Sequence, residues 1–383
     1  MRLACPMTEK KKASAALALA LLISSTSVLM LSSLGGANPV EQKSSEAFTI
    51  NADGSISPST APIQQTGNIY SLTRDINGSI KVVSNSVVLD GNGHTINVPF
   101  GEFTAGIQLD DVHNVTVKNL VILGGAFGVN LGGMFNTILN NTIMEQDNGV
   151  YSLETAPAGV FVNDASSNVI AGNIFADNKV CVSLISWNPG ACTKNLLFKN
   201  TFKNSTNALL LYDSSNNTFY HNNFIDNENI VNDGGYSGYH IVSVNVWDDE
   251  DHLGNYWGDY FSRYPNASEI GNSGIGDTPY VVRPAGFVDP SNLSMSESLD
   301  FWSALNAIYA TNIDHYPLFY PFDIERDSIA FPTASPDPQT TEPFPTTLVI
   351  AVSGVSAAII AVGFAVYLVK FRKRGEVPAQ QQH

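Results

Sequence analysis

The chain has 383 residues, room for one large domain or two ordinary ones with a sizeable core. Its formal net charge is −16, and between residues 38 and 347 lie 11 of its 19 basic and 33 of its 35 acidic residues, a net of −22; a surface that acidic repels phosphate backbones and excludes nucleic acid as a partner. Charged residues are only 14% of the chain amid abundant Gly, Asn, Ser and Thr, which argues against a helical bundle, and three cysteines are too few for a disulfide framework or a four-thiolate metal site.

Residues 1–37 read as a secretory signal peptide. Lys10 to Lys12 precede the apolar run Ala13 to Leu34, and Gly35, Gly36 and Ala37 supply small residues for cleavage after Ala37. Residues 38–100 carry strand-like runs at Ile69 to Leu72, Ile80 to Val83 and Val87 to Leu89, then the turn Asp90, Gly91, Asn92, Gly93. This segment is expected to form an N-terminal cap.

Residues 101–235 hold an internal repeat. Asn114, Asn136, Asn168, Asn195 and Asn217 are each followed five positions later by another asparagine: Asn119, Asn141, Asn173, Asn200 and Asn222. Two positions after each leading Asn stands Thr116, Ile138, Ile170, Leu197 or Phe219, and seven after it Val121, Ile143, Phe175, Phe202 or Phe224. All but Thr116 are apolar, so one side of each unit points at a shared core. The leading asparagines are 22, 32, 27 and 22 residues apart, a basic unit of 22 with insertions near Thr155 to Ala158 and Ser186 to Ala191. Alternating runs at Gly106 to Leu109, Gly128 to Leu131, Gly149 to Leu153, Val180 to Leu184 and Ala208 to Leu211 are strands too short to be helices. No hairpin dipeptide joins them, so each pairs with its equivalent in the next unit. The fold class is all-β, a parallel β-helix, with asparagines at the corners because they tolerate left-handed backbone and can ladder along the stack.

Residues 236–330 leave the repeat and become aromatic, as a C-terminal cap over the open solenoid end would. A Pro/Thr-rich stalk comes next, at 331–347. Leu348 to Val369 is then 22 uncharged residues, about 33 Å as a helix, a single transmembrane span. Lys370, Arg372, Lys373 and Arg374 succeed it, which makes 370–383 a cytoplasmic tail and turns the rest of the chain outward.

The coils, the opening LDGNGHTI at Leu89 to Ile96, and the pieces GNYWGDY at Gly254 to Tyr260, GIGDTPY at Gly274 to Tyr280 and DHYPLFYP at Asp314 to Pro321 resemble the NosD-like family over about residues 85–322. The resemblance implies a right-handed parallel β-helix, exported, of a kind shared with carbohydrate-binding and sugar-hydrolysing domains. Named members serve copper delivery to nitrous oxide reductase, and many surface-anchored relatives have no assigned activity. It also brings copper and calcium as candidate ions, although the residues before GIGD here, Asn266 to Ser273, lack the acidic run of a calcium loop.

Each chemistry has candidate residues. Polysaccharide hydrolysis would use carboxylates among Asp110, Asp111, Asp147, Asp164, Asp177, Asp213 and Asp226, yet most adjoin Asn, Ser or Gly as turn residues do. Copper would need soft ligands, but His94, His113, His221, His240, His252 and His315 and the methionines Met134, Met144 and Met295 show no tight ligand spacing. Cys181 and Cys192 bracket one insertion and, in an exported protein, are expected to form a disulfide, the alternative being a two-thiolate copper(I) clamp. A glycan platform would use Tyr256, Trp257, Asp259 and Tyr260, with Asp277 and Tyr280. Sequons stand at Asn77, Asn114, Asn140, Asn204, Asn216, Asn266 and Asn292. The expectation is a membrane-anchored, non-enzymatic cell-surface β-helix that binds carbohydrate or cell-envelope components. The alternatives are a copper-binding accessory protein and a polysaccharide hydrolase or lyase.

Overall fold

The computed structural model describes residues 45–99, 104–146, 157–188, 190–233, 243–249, 252–285 and 312–324. The signal segment, Asp147, Asn292, the stalk, the span and the tail all lie outside them. Among the described residues no helix is long and apolar enough to cross a membrane.

Three stacks of parallel strands wind into a β-helix. The long face holds seven strands in order: Ile76–Val82, Ala105–Leu109, Phe127–Leu131, Ala158–Asn163, Val180–Ile185, Asn207–Tyr212 and Asn229–Asp233. At a strand spacing of about 4.8 Å this stack is roughly 29 Å tall. A second face runs from Thr95–Asn97 through Val121–Leu123 and Thr142–Met144 to Tyr256–Trp257, and a third from Ile69–Leu72 to Thr218–Tyr220. Pairing is in register, as in Thr137 with Val169 and Ile143 with Phe175, so each inward side chain rests on its equivalent one coil away. Ile107, Val129, Val160, Val182 and Leu209 form one such column, all fully buried.

Glycine has a steric reason within the long-face strand Ala158–Asn163. A Cβ on Gly159 would stand 2.8 Å from Phe175 Cδ1 and 2.7 Å from the Cys181 carbonyl oxygen, closer than real contacts allow.

The asparagines form two internal ladders. Asn136 Oδ1 accepts the Val115 N–H, Asn168 the Asn136 N–H, Asn195 the Asn168 N–H and Asn217 the Asn195 N–H, all at 2.8–3.0 Å. Asn141, Asn173, Asn200 and Asn222 repeat this one corner away. Each amide nitrogen gives its protons back to the interior: Asn173 Nδ2 donates to the Ile138 carbonyl at 2.9 Å and to Asn200 Oδ1 at 3.0 Å. These buried amides thereby satisfy the backbone groups that the corners leave unpaired.

The ladders correct the sequence reading in three places. Register aligns Thr137 with Thr116, which puts Val115 and Leu120, not Asn114 and Asn119, in the ladder columns. A one-residue slip exchanges the faces of a strand, so Val117 and Ile122 point inward where Thr116 and Val121 were expected. The left-handed backbone belongs to the residue before each ladder position: Asn114, Phe135, Ser167, Lys194 and Asn216 all have φ between 56° and 61°. Lastly, the long-face strand that follows Phe127–Leu131 is Ala158–Asn163, and the expected run Gly149 to Leu153 lies outside the described residues.

Coils also begin earlier than residue 101. Ile69–Leu72 pairs in parallel with Val88–Asp90, so the first coil is built from the segment expected to supply N-terminal strands and a cap. Antiparallel pairing of Ile63–Thr66 with Ile69–Leu72, and of Glu46–Ile50 with Ile56–Ser57, closes that end.

Candidate functional site

At the C-terminal end the repeat continues in disguise. Asn245 and Asn255, ten residues apart instead of five, take the next ladder positions and accept the N–H groups of Asn217 and Asn222 at 2.9 and 3.0 Å. Asn312 and Asp314, from a distant segment, close the two ladders. Asn312 Oδ1 accepts the Asn245 N–H and the Trp247 indole N–H, both at 2.9 Å. Asp314 Oδ2 accepts the Asn255 N–H at 2.7 Å and the Trp257 indole N–H at 2.8 Å. Burial pushes the Asp314 carboxyl up to about 7, against the lowering pull of these donors and of the Tyr316 N–H on Oδ1.

The interior aromatic column ends in the same place. Phe175, Phe202, Phe224, Trp257 and Tyr280 stack in sequence with centroid separations of 5.2, 5.0, 4.8 and 4.1 Å. Trp257, Tyr260 and Tyr280 are therefore buried, and the expectation that they present faces to a glycan is corrected: they plug the solenoid. Tyr260 is held by its hydroxyl, which donates to the Thr278 carbonyl at 2.7 Å. Tyr256 is half-buried on the last strand of the second face. Asp277 closes its own loop, accepting the Ser268 N–H at 3.0 Å, a bond that lowers its carboxyl below the usual range.

Asp259 is different, because it stands at the edge of a groove. Its Oδ1 accepts the Tyr280 hydroxyl at 2.9 Å and its Oδ2 faces Arg263 Nε at 2.9 Å, while the Arg263 guanidinium lies 4.8 Å above the Tyr280 ring. Burial and the neighbouring Asp259 charge push the Tyr280 hydroxyl well above its ordinary value, so it stays a donor. The groove, about 400 Å³, runs between the last coil and this cap; it is lined by Asp226, Asn227, Glu228, Asn229, Asp259, Ser262, Arg263 and Arg283. Two of the three arginines among the described residues meet there. Sequence reasoning singled out only Asp226 and Asp259 of these, and for different chemistries, because the groove joins residues 224–231 to 258–263 and 283–285, a meeting that only the winding of the chain creates.

The remaining candidates are scattered. Asp111, Asp164, Asp177, Asp213 and Asp226 all have φ between 45° and 55°, the geometry of corner residues, and Asp110 pairs with Lys81 at 2.9 Å. Cys181 and Cys192 are both free, which corrects the expected disulfide. Cys181 points into the core and donates to Ser205 Oγ at 3.1 Å, Cys192 accepts from Asn195 Nδ2 at 3.7 Å, and burial pushes both thiols up to about 12. Among the described residues no group of three or more His, Cys, Asp and Glu side chains could hold a metal ion. Of the sequons, Asn114, Asn140, Asn204, Asn216 and Asn266 are exposed and Asn77 is half-buried.

No curated protein matches the chain. The model of the family described as periplasmic copper-binding protein (NosD) matches residues 59–262, a span from the antiparallel closure of the first coil through the ladders as far as Asn245 and Asn255 to the helical turn that bears Arg263. That match covers just over half of the sequence and coincides with the ladder-bearing solenoid, and the chain belongs to the NosD family.

Proposed function

We propose that this protein is a non-enzymatic, exported β-helix that binds carbohydrate in the groove at the C-terminal end of its solenoid, anchored to the membrane by Leu348 to Val369. The observation that carries the reading is the groove's lining. Asp226, Asn227, Glu228, Asn229 and Asp259 offer planar polar groups, and Arg263 and Arg283 add forked donors. Such mixed, fixed donors and acceptors match the paired hydroxyls of a sugar, and Phe224, Ile230, Val231, Pro284 and Ala285 add apolar surface beside them for its C–H groups. Arg263 is pre-positioned by Asp259 and Tyr280, so little order is lost on binding. The test is retention of the full chain on immobilised polysaccharides, with the flow-through assayed for released sugar. Retention without product, weakened by Glu228→Gln and Arg283→Ala, is the expected result. Product release would refute the non-enzymatic part.

The family's description favours copper as a second reading. His113 and Met134 occupy adjacent coils, with the Met134 N–H donating to His113 Nδ1 at 3.2 Å; that bond puts the neutral ring's proton on Nε2, so copper would take Nδ1 in place of the bond. A thioether and an imidazole together suit copper(I). Anaerobic titration with copper(I) against a chromogenic chelator, repeated on His113→Ala with Met134→Leu, decides it: stoichiometric binding lost in the double variant supports this site.

A further inference from the structure

We propose that Trp187 and Tyr212 form a stacking subsite for the apolar face of a neutral hexopyranose, on the outer side of the long face and apart from the groove. It rests on the carbohydrate reading and extends it to a second place on the molecule. Val182 and Leu184 point into the core, whereas Ile185 joins a second apolar cluster with Phe127, Phe161 and Val180. Leu210 and Tyr212 pack against that cluster but are only partly covered. Trp187 lies beside Tyr212, ring centroids 5.8 Å apart and planes 41° from parallel, and is 41% exposed. The other described tryptophans, Trp247 and Trp257, are both 1% exposed and hydrogen-bonded.

The indole is held out by its loop. Asp164 Oδ1 accepts the N–H groups of Trp187 and Asn188 at 2.7 and 3.1 Å, and its Oδ2 accepts Asn188 Nδ2 at 2.7 Å. Ser186 Oγ donates to the Asn188 carbonyl at 2.6 Å and accepts the Ala191 N–H at 3.1 Å. A loop fixed this way presents its ring with the ordering entropy already spent, which is how an aromatic anchor gains affinity. Two tilted rings form a wedge that fits C–H bonds better than a flat protein surface, and sugar C–H groups pack on π-faces. Asn163 and Asn188 lie exposed beside the pair as amide partners for hydroxyls. Asp164 and the chain's net charge of −16 select against uronates and sulfated sugars, which leaves neutral pyranoses with a continuous apolar face.

The test is calorimetric titration of the full chain with cellohexaose, chitohexaose and hexagalacturonate, on wild type, Trp187→Ala, Trp187→Phe and Arg283→Ala. Expected is binding of a neutral hexamer weakened roughly 10-fold or more by Trp187→Ala, with most of the loss restored by Trp187→Phe, an unchanged melting temperature and no binding of hexagalacturonate. Equal affinity of wild type and Trp187→Ala overturns the subsite, and if Arg283→Ala then abolishes binding the groove reading stands alone. A Phe variant as weak as the Ala variant overturns stacking. Binding of none of the three probes overturns both readings.

Discussion

Asp314 offers the sharpest link between this structure and a measurable quantity. Its carboxyl is fully buried at the end of a ladder, and burial raises it to about 7 from an unfolded value of 3.8. The nearby Asp248 carboxylate, itself engaged by His315 at 2.8 Å, pushes the same way. A carboxyl raised by folding holds its proton in the native state after the unfolded chain has lost it. Its contribution is therefore fully present below pH 4 and is lost as pH rises towards 7, at about 1.4 kcal/mol per pH unit and up to about 4 kcal/mol across the window. Asp314→Asn should remove this dependence and still fold, because Asn312 already fills the equivalent role on the other ladder. The Asn312 Oδ1 takes a ladder N–H and an indole N–H, and its Nδ2 donates to the Ser243 carbonyl at 3.0 Å. The variant loses the Tyr316 N–H acceptor, costing about 1 kcal/mol. Urea unfolding from pH 4 to 8, monitored by the fluorescence of Trp247 and Trp257 in the same cap, measures the difference between wild type and variant. That subtraction cancels the histidines. A difference that is flat, or that favours wild type as pH rises, would refute the reasoning and mean that the N–H donors outweigh burial.

Three further outcomes concern the core. Phe202→Ala should destabilise by about 3–5 kcal/mol, since its ring is sandwiched between Phe175 and Phe224 at 5.2 and 5.0 Å; thermal unfolding checks this. Asn173→Leu should cost more than its volume suggests, roughly 2–5 kcal/mol by denaturant titration, because it strands the buried Asn141 N–H and the Ile138 carbonyl. Cys181 and Cys192 should resist a thiol reagent in the native protein at pH 8 and both react after denaturation without reductant, whereas reaction only after reduction would restore the disulfide.

The solenoid was legible because its physics is periodic. A repeat of apolar and asparagine positions at 22 residues forces each strand onto its equivalent, and burial of Ile138, Ile170, Leu197 and Phe219 in one column is the consequence. Where the repeat weakens, the sequence stops deciding. Asn114 mimics a ladder residue yet sits one place early, and only pairing with Thr137 onwards shows that Val115 takes the column. Asn245 and Asn255 continue the ladders across a gap of ten residues, and Asn312 and Asp314 finish them from far along the chain. Their partners are set by where the coil ends, not by spacing.

The aromatic richness of residues 236–322 likewise fixed a cap but not its orientation. Whether Trp257 faces a ligand or the core depends on the ring of Phe224 beneath it, 4.8 Å away, and the core wins. Trp187 and Tyr212 are 25 residues apart in sequence and carry no motif. They meet because five inserted residues lengthen one coil, and Asp164, one coil below, anchors the loop so made. Sequence alone determined the winding, since hydrophobic period and amide pairing act along the chain. The tertiary structure decided which side chains reach the surface together, since that depends on stacking between coils.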